Sequence, residues 1–262
     1  MRRGEAPDAE RETMATPMPD TLACISWNIH RGRGNDGRVD PDRTLDVLRN
    51  EVWHPGTDAL FLQEADEEAP PHHGVLNTSE IEAITGLRHV QDDPASRSGP
   101  DSHGFLGVVV YLHPDILVES VRLIDLPRLV CPRGAVMVDA ARDGRRLRFV
   151  VTHLSLSQML RIVQMRRIGQ HLGGDDTRPV ILCGDLNEWR PWGGFALSKP
   201  ILGQAFHGPA RATFPIRRPW LPLDRVLTNR PGRVEDLRVL DGPGIRMASD
   251  HRPLWVRVRL GP

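Results

Sequence analysis

One lysine, Lys199, and one tyrosine, Tyr111, occur in 262 residues, and every other basic residue is arginine. That scarcity disfavours Schiff-base and lysine-nucleophile chemistry. The three cysteines, Cys24, Cys131 and Cys183, are odd in number and widely spaced. Two sit inside apolar runs, where a free thiol packs as a small hydrophobe. No Cys-x-x-Cys or His-Glu-x-x-His spacing occurs, which removes the common sequence-local zinc sites. Net charge is absent too, with 34 Lys and Arg against 34 Asp and Glu, so no basic excess draws in polyanions at long range. No apolar run approaches the roughly 20 residues of a membrane span. The first 20 residues carry eight charged side chains but no hydrophobic segment of a secretory signal. Residues 1–20 are expected as a disordered tail, and 21–262 as one domain of a cytoplasmic protein.

What is present is an ordinary globular balance, 39% hydrophobic and 26% charged. Strand-like runs are read at Leu22 to Trp27, Ala59 to Leu62, Phe105 to Leu112, Leu117 to Leu126, Gly134 to Ala141 and Leu147 to Leu154. More follow at Val180 to Cys183, Arg225 to Thr228, Val234 to Leu240 and Leu254 to Leu260. The four runs from Phe105 to Leu154 read as an antiparallel stretch, its last two strands joined at Arg142-Asp143-Gly144. Asp40-Pro41 caps a helix running to about Trp53, and Ser79 to Thr85 forms another, closed by Gly86. Ser157 is positioned to cap a third, whose Ile162, Met165, Ile168 and Leu172 make one stripe before Gly173-Gly174. Helices alternating with strands around an antiparallel block indicate an α/β protein with mixed sheets.

The polar residues fall at strand ends. Asn28, Glu64, His153 and Asp185 each close an apolar run, and Asp250-His251 precedes another. Crevices outside strand ends are the usual ligand sites of α/β folds. One such carboxylate alone is usually a turn residue; a converging set is different. Glu64, Asp185 and Asp250 with the amides of Asn28 and Asn187 make an oxygen-rich group suited to magnesium. Without a cation, such acids would raise one another's pKa values. His251 is a candidate to accept a proton from water, held in one tautomer by Asp224, with His153 bonding a phosphoryl oxygen or assisting the leaving group.

Six pieces in order, Ser26-Trp27-Asn28, Leu62-Gln63-Glu64, Thr152-His153-Leu154, Gly184-Asp185-Leu186-Asn187, Leu223-Asp224-Arg225 and Ser249-Asp250-His251, resemble the endonuclease/exonuclease/phosphatase (DNase I-like) superfamily. The resemblance spans about Leu22 to Leu260. It implies a four-layer α/β sandwich, with two mixed sheets face to face and helices outside, and a magnesium or manganese ion at one edge. It further implies Glu64 as principal metal ligand beside Asn28 and Asp250. Asp185 and Asn187 would orient water and phosphate, and His251 would be the catalytic histidine with Asp224 as partner.

Substrate choice follows less directly. Apurinic-site endonucleases of that superfamily carry a tyrosine motif where this chain has Thr152-His153-Leu154. The loop Asn28 to Gly32 is similar to that of small bacterial members known only as metal-dependent hydrolases. The expected activity is hydrolysis of a small or lipid-linked phosphodiester by in-line water attack, with contact to a membrane surface through a lipid substrate. A nuclease is the second reading. A catalytically silent phosphate-binding module is the third, although every core position holds a competent residue. Arg31, with Arg33, is the candidate phosphate clamp, and His103 a candidate lining residue. Trp189, Trp192 and Trp220, interspersed with Arg190, Arg217 and Arg218, suit either loop packing or contact with bases or lipid headgroups.

Overall fold

Period-two alternation along β1 (Thr21–Asn28) sets the layering: Leu22 and Cys24 enter one apolar cluster, while Ala23, Ile25 and Trp27 enter another on the opposite face. The same split occurs in β8 (Val180–Asp185), where Ile181 and Cys183 share the cluster of Leu22, and Val180 and Leu182 face a third. These positions make the shared cluster the filling between two sheets and the other two the seats of helices. The structure, a computed structural model, describes residues 20–173, 178–190, 194–231 and 233–261. Residues 1–19 of the expected tail, with Gly174 and Trp192, lie outside the described residues. Asp20 belongs with the fold, since its carbonyl accepts from Leu260 N at 2.7 Å and its carboxylate pairs with Arg145 at 2.5 Å.

The remaining elements, in chain order, are α1 (Pro41–Val47), β2 (Ala59–Gln63), α2 (Thr78–Thr85), β3 (Arg88–His89), β4 (Val109–Leu112), β5 (Leu117–Leu126), β6 (Arg133–Arg142), β7 (Arg145–His153), α3 (Gln158–Leu172), α4 (Lys199–Leu202), β9 (Asp224–Thr228), β10 (Val234–Val239), α5 (Pro243–Ala248) and β11 (Leu254–Arg259). One sheet runs β10-β11-β1-β2-β4-β3 and the other β5-β6-β7-β8-β9. Both are mixed, with β1–β2 and β7–β8 parallel and the other pairs antiparallel. Leu45, Ile81 and Ile245 of α1, α2 and α5 pack on the first sheet, and Met165, Ile168 and Ile201 of α3 and α4 on the second. The result is a four-layer α/β sandwich of the DNase I-like kind.

Several local expectations change. The run from Phe105 to Leu112 is not one strand: Leu106 and Gly107 take positive φ of 51° and 85°, forming a turn bridged by Phe105 and Val108, so β4 starts at Val109. β4 also pairs with β2 in the first sheet, so the antiparallel block of the second sheet begins only at β5. The β6–β7 hairpin turns on Asp143-Gly144, both at positive φ between the paired Arg142 and Arg145. Ser157 stands at the N-cap of α3, but its side chain makes no capping bond. α1 runs on through a π-helical turn at Leu48–Val52, and there Glu51 accepts from the main-chain N–H groups of Gly244 and Ile245 at 2.8 and 2.9 Å. That carboxylate ties α5, invisible to the periodicity because it is one short turn after proline, to α1.

Gly184 is required by the packing of the two parallel strands. Its φ is +125°, and a Cβ there would lie 2.0 Å from the carbonyl oxygen of Thr152. Gly184→Ala is expected to cost upwards of about 3 kcal/mol, measured by urea denaturation, because the clash is with backbone and neither strand can give way without displacing His153 or Asp185.

Candidate active site

The topology gathers the polar residues at one edge. β1 and β2 run parallel, so Asn28 and Gln63-Glu64 end side by side; β7 and β8 run parallel, so His153 pairs with Asp185. β9 starts antiparallel to them, placing Asp224 opposite Asp185, and β11 starts beside the end of β1, delivering Asp250-His251. The two sheets thus present their polar edges across a cleft of about 400 Å3, lined by Asn28, Arg31, Glu64, His153, Asp185, Asn187, Asp250 and His251. Ser249 locks the last loop to β1, donating to Asn28 O at 2.7 Å and accepting from His251 N at 3.1 Å.

His251 and Asp224 form the tightest unit. His251 Nδ1 donates to Asp224 Oδ2 at 2.8 Å, and Thr213 Oγ1 donates to the same oxygen at 2.5 Å. Phe214 packs against the imidazole at a tilt of 46° with ring centres 4.9 Å apart. Burial disfavours the imidazolium, but the carboxylates of Asp224 and Asp185 outweigh it and hold the pKa up to about 10. His251 therefore carries its proton at neutral pH, with Nε2 3.8 Å from Asp185 Oδ2. The sequence suggested His251 as the acceptor of the water proton; the two carboxylates beside it favour its protonated form, which suits a donor instead.

Asp185 is almost wholly buried. It accepts from Asn28 Nδ2 at 3.0 Å and Asn187 N at 3.1 Å and lies 3.4 Å from His153 Nε2. Burial, with a further push from Asp224, raises its pKa to about 7 against the opposing effect of His251. His153 goes the other way: burial, then Arg133, His251 and Arg31, push it well below its ordinary value. It is a neutral imidazole between two acids. Asn187 holds its place at φ 51° by donating Nδ2–H to Leu154 O at 2.9 Å. Glu64 is likewise left-handed, at φ 54°, with Gly107 packed on its backbone. Non-glycine residues in that region cluster at functional sites.

The donor chemistry fits a hard divalent cation. Glu64 Oε2 is bound by the Arg31 guanidinium at 2.5 Å, so a positive group already stands where one is needed, while Oε1 accepts no hydrogen bond among the described residues. Asp250 lies partly exposed on the same cleft, 3.6 Å from His30. Asn28 is more committed, its oxygen accepting from His30 N at 3.0 Å and its nitrogen donating to Asp185. Asp185, Asp224 and His251 also bring ligand-capable atoms within 4.8 Å of one another. Because Asp224 Oδ2 and His251 Nδ1 are hydrogen-bonded to each other while Asp185 stands 3.8 Å from His251 Nε2, we read that trio as a charge-paired group and Glu64 with Asp250 as the open oxygen donors.

Two expected substrate contacts differ. His103 does not line the cleft: its main-chain N–H bonds Asp66 at 2.8 Å, its carbonyl accepts from His89, and its ring packs against Gly74. Arg31 does line the cleft, but its guanidinium is taken up by Glu64, and Arg33 bonds Gly37 O within its own loop. Arg133, which carries no motif because it merely opens β6, also lines the cleft, with Nη1 donating to Pro132 O. Thr213 and Phe214 were equally silent in the sequence, since they reach the site through a bridge to Leu221 rather than through a strand end.

A model of the Endonuclease/Exonuclease/phosphatase family matches residues 25–251. The uncharacterized protein YbhP of Escherichia coli strain K12 is 29% identical over 267 residues, spanning 93% of this chain and all of its own. An endonuclease/exonuclease/phosphatase from Beutenbergia cavernae superposes with TM-score 0.63 at 20% identity, over 92% of this chain and 72% of that one. TDP2 of D. rerio, complexed with single-strand DNA product, does so with TM-score 0.58 at 16% identity, over 90% and 98%. The chain belongs to the Endonuclease/Exonuclease/phosphatase family, hydrolases of phosphoester bonds.

Proposed function

We propose that the protein is a divalent-cation-dependent phosphodiesterase acting on a small or lipid-linked phosphodiester. The observation that carries this reading is the hydrogen-bonded His251–Asp224 pair facing the buried Asp185 across a cleft whose other wall is Glu64. Asp185, with its pKa near 7, takes the proton of the attacking water, and Asn187 holds its carboxylate in place. His251 Nε2–H donates to a phosphoryl oxygen as charge builds there. His153 stands beside both acids as a neutral donor toward the leaving oxygen, and Arg133, whose Nη1 also donates to Pro132 O, offers its guanidinium to the remaining phosphoryl charge. Glu64 and Asp250, with Asn28, would hold magnesium or manganese, which supplies Lewis-acid stabilisation of the phosphoryl oxygens.

Leu156, Trp189, Phe214, Leu221 and Leu223 form the apolar part of the same lining, which suits a diester with an apolar substituent better than a wide anionic duplex. Phospholipid headgroup release measured beside plasmid nicking, both with magnesium and with EDTA as control, separates the two substrate classes. Headgroup release without nicking is expected, and Glu64→Ala is expected to reduce it by at least about a hundred-fold. Robust DNA cleavage at physiological salt would overturn the substrate reading. Wild-type turnover by Glu64→Ala would overturn the site.

A further inference from the structure

The register of the second sheet places four loops in a row along the edge that carries the site. The segment 127–132 precedes β6, whose Ala135 pairs with Thr152 near the end of β7. The segment 154–157 follows β7 and leads into α3; 186–190 follows β8; and 214–221 precedes β9, whose Asp224 pairs with Asp185. Leu129, Val130, Leu156, Met159, Trp189 and Trp220 stand on these loops and the first turn of α3, each between 47% and 87% exposed. They are half of the 12 large apolar side chains that are exposed among the described residues. Apolar surface gathered on one edge marks an interaction site, whereas scattered single residues do not.

Charge is segregated along the same row. The exposed charged side chains there are Arg128, Arg217 and Arg218, joined by the partly buried Arg190, and the exposed thiol of Cys131 stands between Val130 and Pro132. The only acid on the four loops, Glu188, is fully buried and paired with Arg161 and Arg190. In a chain of zero formal charge, an arginine-rich rim is a local feature, with the half-exposed Glu68, hydrogen-bonded to Cys131, as the acid beside it. Proline brackets two of the loops, Pro127 to Pro132 and Pro215 to Pro219, so each presents arginine beside exposed apolar groups on a stiffened backbone.

We propose that this rim seats the protein on an anionic lipid bilayer surface, with Leu129, Val130, Met159 and Trp220 entering the interface and Arg128, Arg217 and Arg218 meeting headgroup phosphates, so that the cleft opens onto the membrane. Four of the six exposed apolar residues are aliphatic, and aliphatic side chains gain nothing from base stacking but partition into the acyl boundary. The inference rests on the lipid-linked form of the proposed substrate, and it is tested without turnover.

Flotation with phosphatidylcholine vesicles, with and without a minority of phosphatidylglycerol, measures the seating directly. The wild type is expected to float with the anionic vesicles, less so as salt is added. The variant Leu129→Ser/Val130→Ser/Met159→Ser/Trp220→Ser is expected to stay at the bottom. Arg128→Gln/Arg217→Gln/Arg218→Gln should bind anionic vesicles more weakly by roughly five-fold per arginine. Both variants should hydrolyse a soluble diester at the wild-type rate. Flotation without any hydrolysis would retire the enzymatic reading and leave the docking surface standing. The docking surface is overturned if the wild type does not float, or if both variants float like it. It is equally overturned if the same side chains prove to mediate oligonucleotide binding or a sedimenting dimer in place of vesicle binding.

Discussion

His251→Ala is expected to lower kcat for phosphodiester hydrolysis about a thousand-fold, with a much smaller change in KM and an unchanged circular dichroism spectrum. The size of the effect follows from the environment. Burial alone would strip the imidazole of its proton, yet Asp224 and Asp185 keep it protonated up to about pH 10, so the donor is already charged when phosphoryl charge develops. Asp224→Asn removes the carboxylate that fixes Nδ1–H and is expected to cost about a hundred-fold. The pH profile gives a second readout. Asp185 must be deprotonated to accept a proton, so the rate rises as pH increases through about 7. His251 must be protonated to donate, so the rate falls as pH increases through about 10. In His251→Ala the alkaline fall should vanish, while the rise moves to higher pH because the imidazolium no longer holds the Asp185 pKa down. A profile with both limbs unchanged in that variant would show that some other group is the donor.

Glu188→Ala is expected to destabilise the fold by roughly 3–5 kcal/mol, a fall in Tm of about 10 °C for a chain of this size. Glu188 is fully buried and lies 3.5 Å from Arg161 Nη2 and 2.9 Å from Arg190 Nη1, and its carbonyl accepts from Arg225 at 3.5 Å. Arg161, itself buried, also donates to the carbonyls of Ser155 and Leu156 at 3.0 and 2.6 Å. Burial already depresses the pKa values of Arg161 and Arg225, so removing the acid strands two charges in a dry interior. This cluster clamps the loop after β7 to the loop after β8, the two that carry His153 and Asn187. Double substitution Arg161→Met/Glu188→Leu should recover part of the loss, since it removes one of the two stranded charges and leaves Arg225. Glu188→Ala with wild-type Tm would show that the cluster contributes no net stability.

How much of this was legible depends on the kind of force involved. Strands of both sheets were readable because alternation and apolar runs are local, and β1, β5 and β8 fall within two residues of their expected ends. The polar termini were readable for the same reason: a hydrophobic run that stops at Asn28 or Asp185 stops because the chain leaves the core. Partnership across sheets was not. Asp224 is named as partner of His251 by the need for a carboxylate and again by the family resemblance, but their meeting depends on strand registers that no local pattern encodes. Thr213, Phe214 and Arg133 act from loops, where residue type alone says little. His103 shows the converse error, since a histidine ahead of a strand was drawn instead to Asp66, which gathers the N–H groups of His103, Gly104 and Gly107. The Arg31–Glu64 pair was hidden because Arg31 sits at φ 52°, a turn that bends its side chain back across the cleft.

The central claim is that this cleft hydrolyses phosphodiesters with a divalent cation held at Glu64. The direct measurement is release of nitrophenol from bis(p-nitrophenyl) phosphate by the purified chain in magnesium, after EDTA, and after magnesium is restored. Release that stops with EDTA, returns with magnesium and is absent from Glu64→Ala is the expected result. Release that continues unchanged in EDTA, or that Glu64→Ala supports at the wild-type rate, would contradict it.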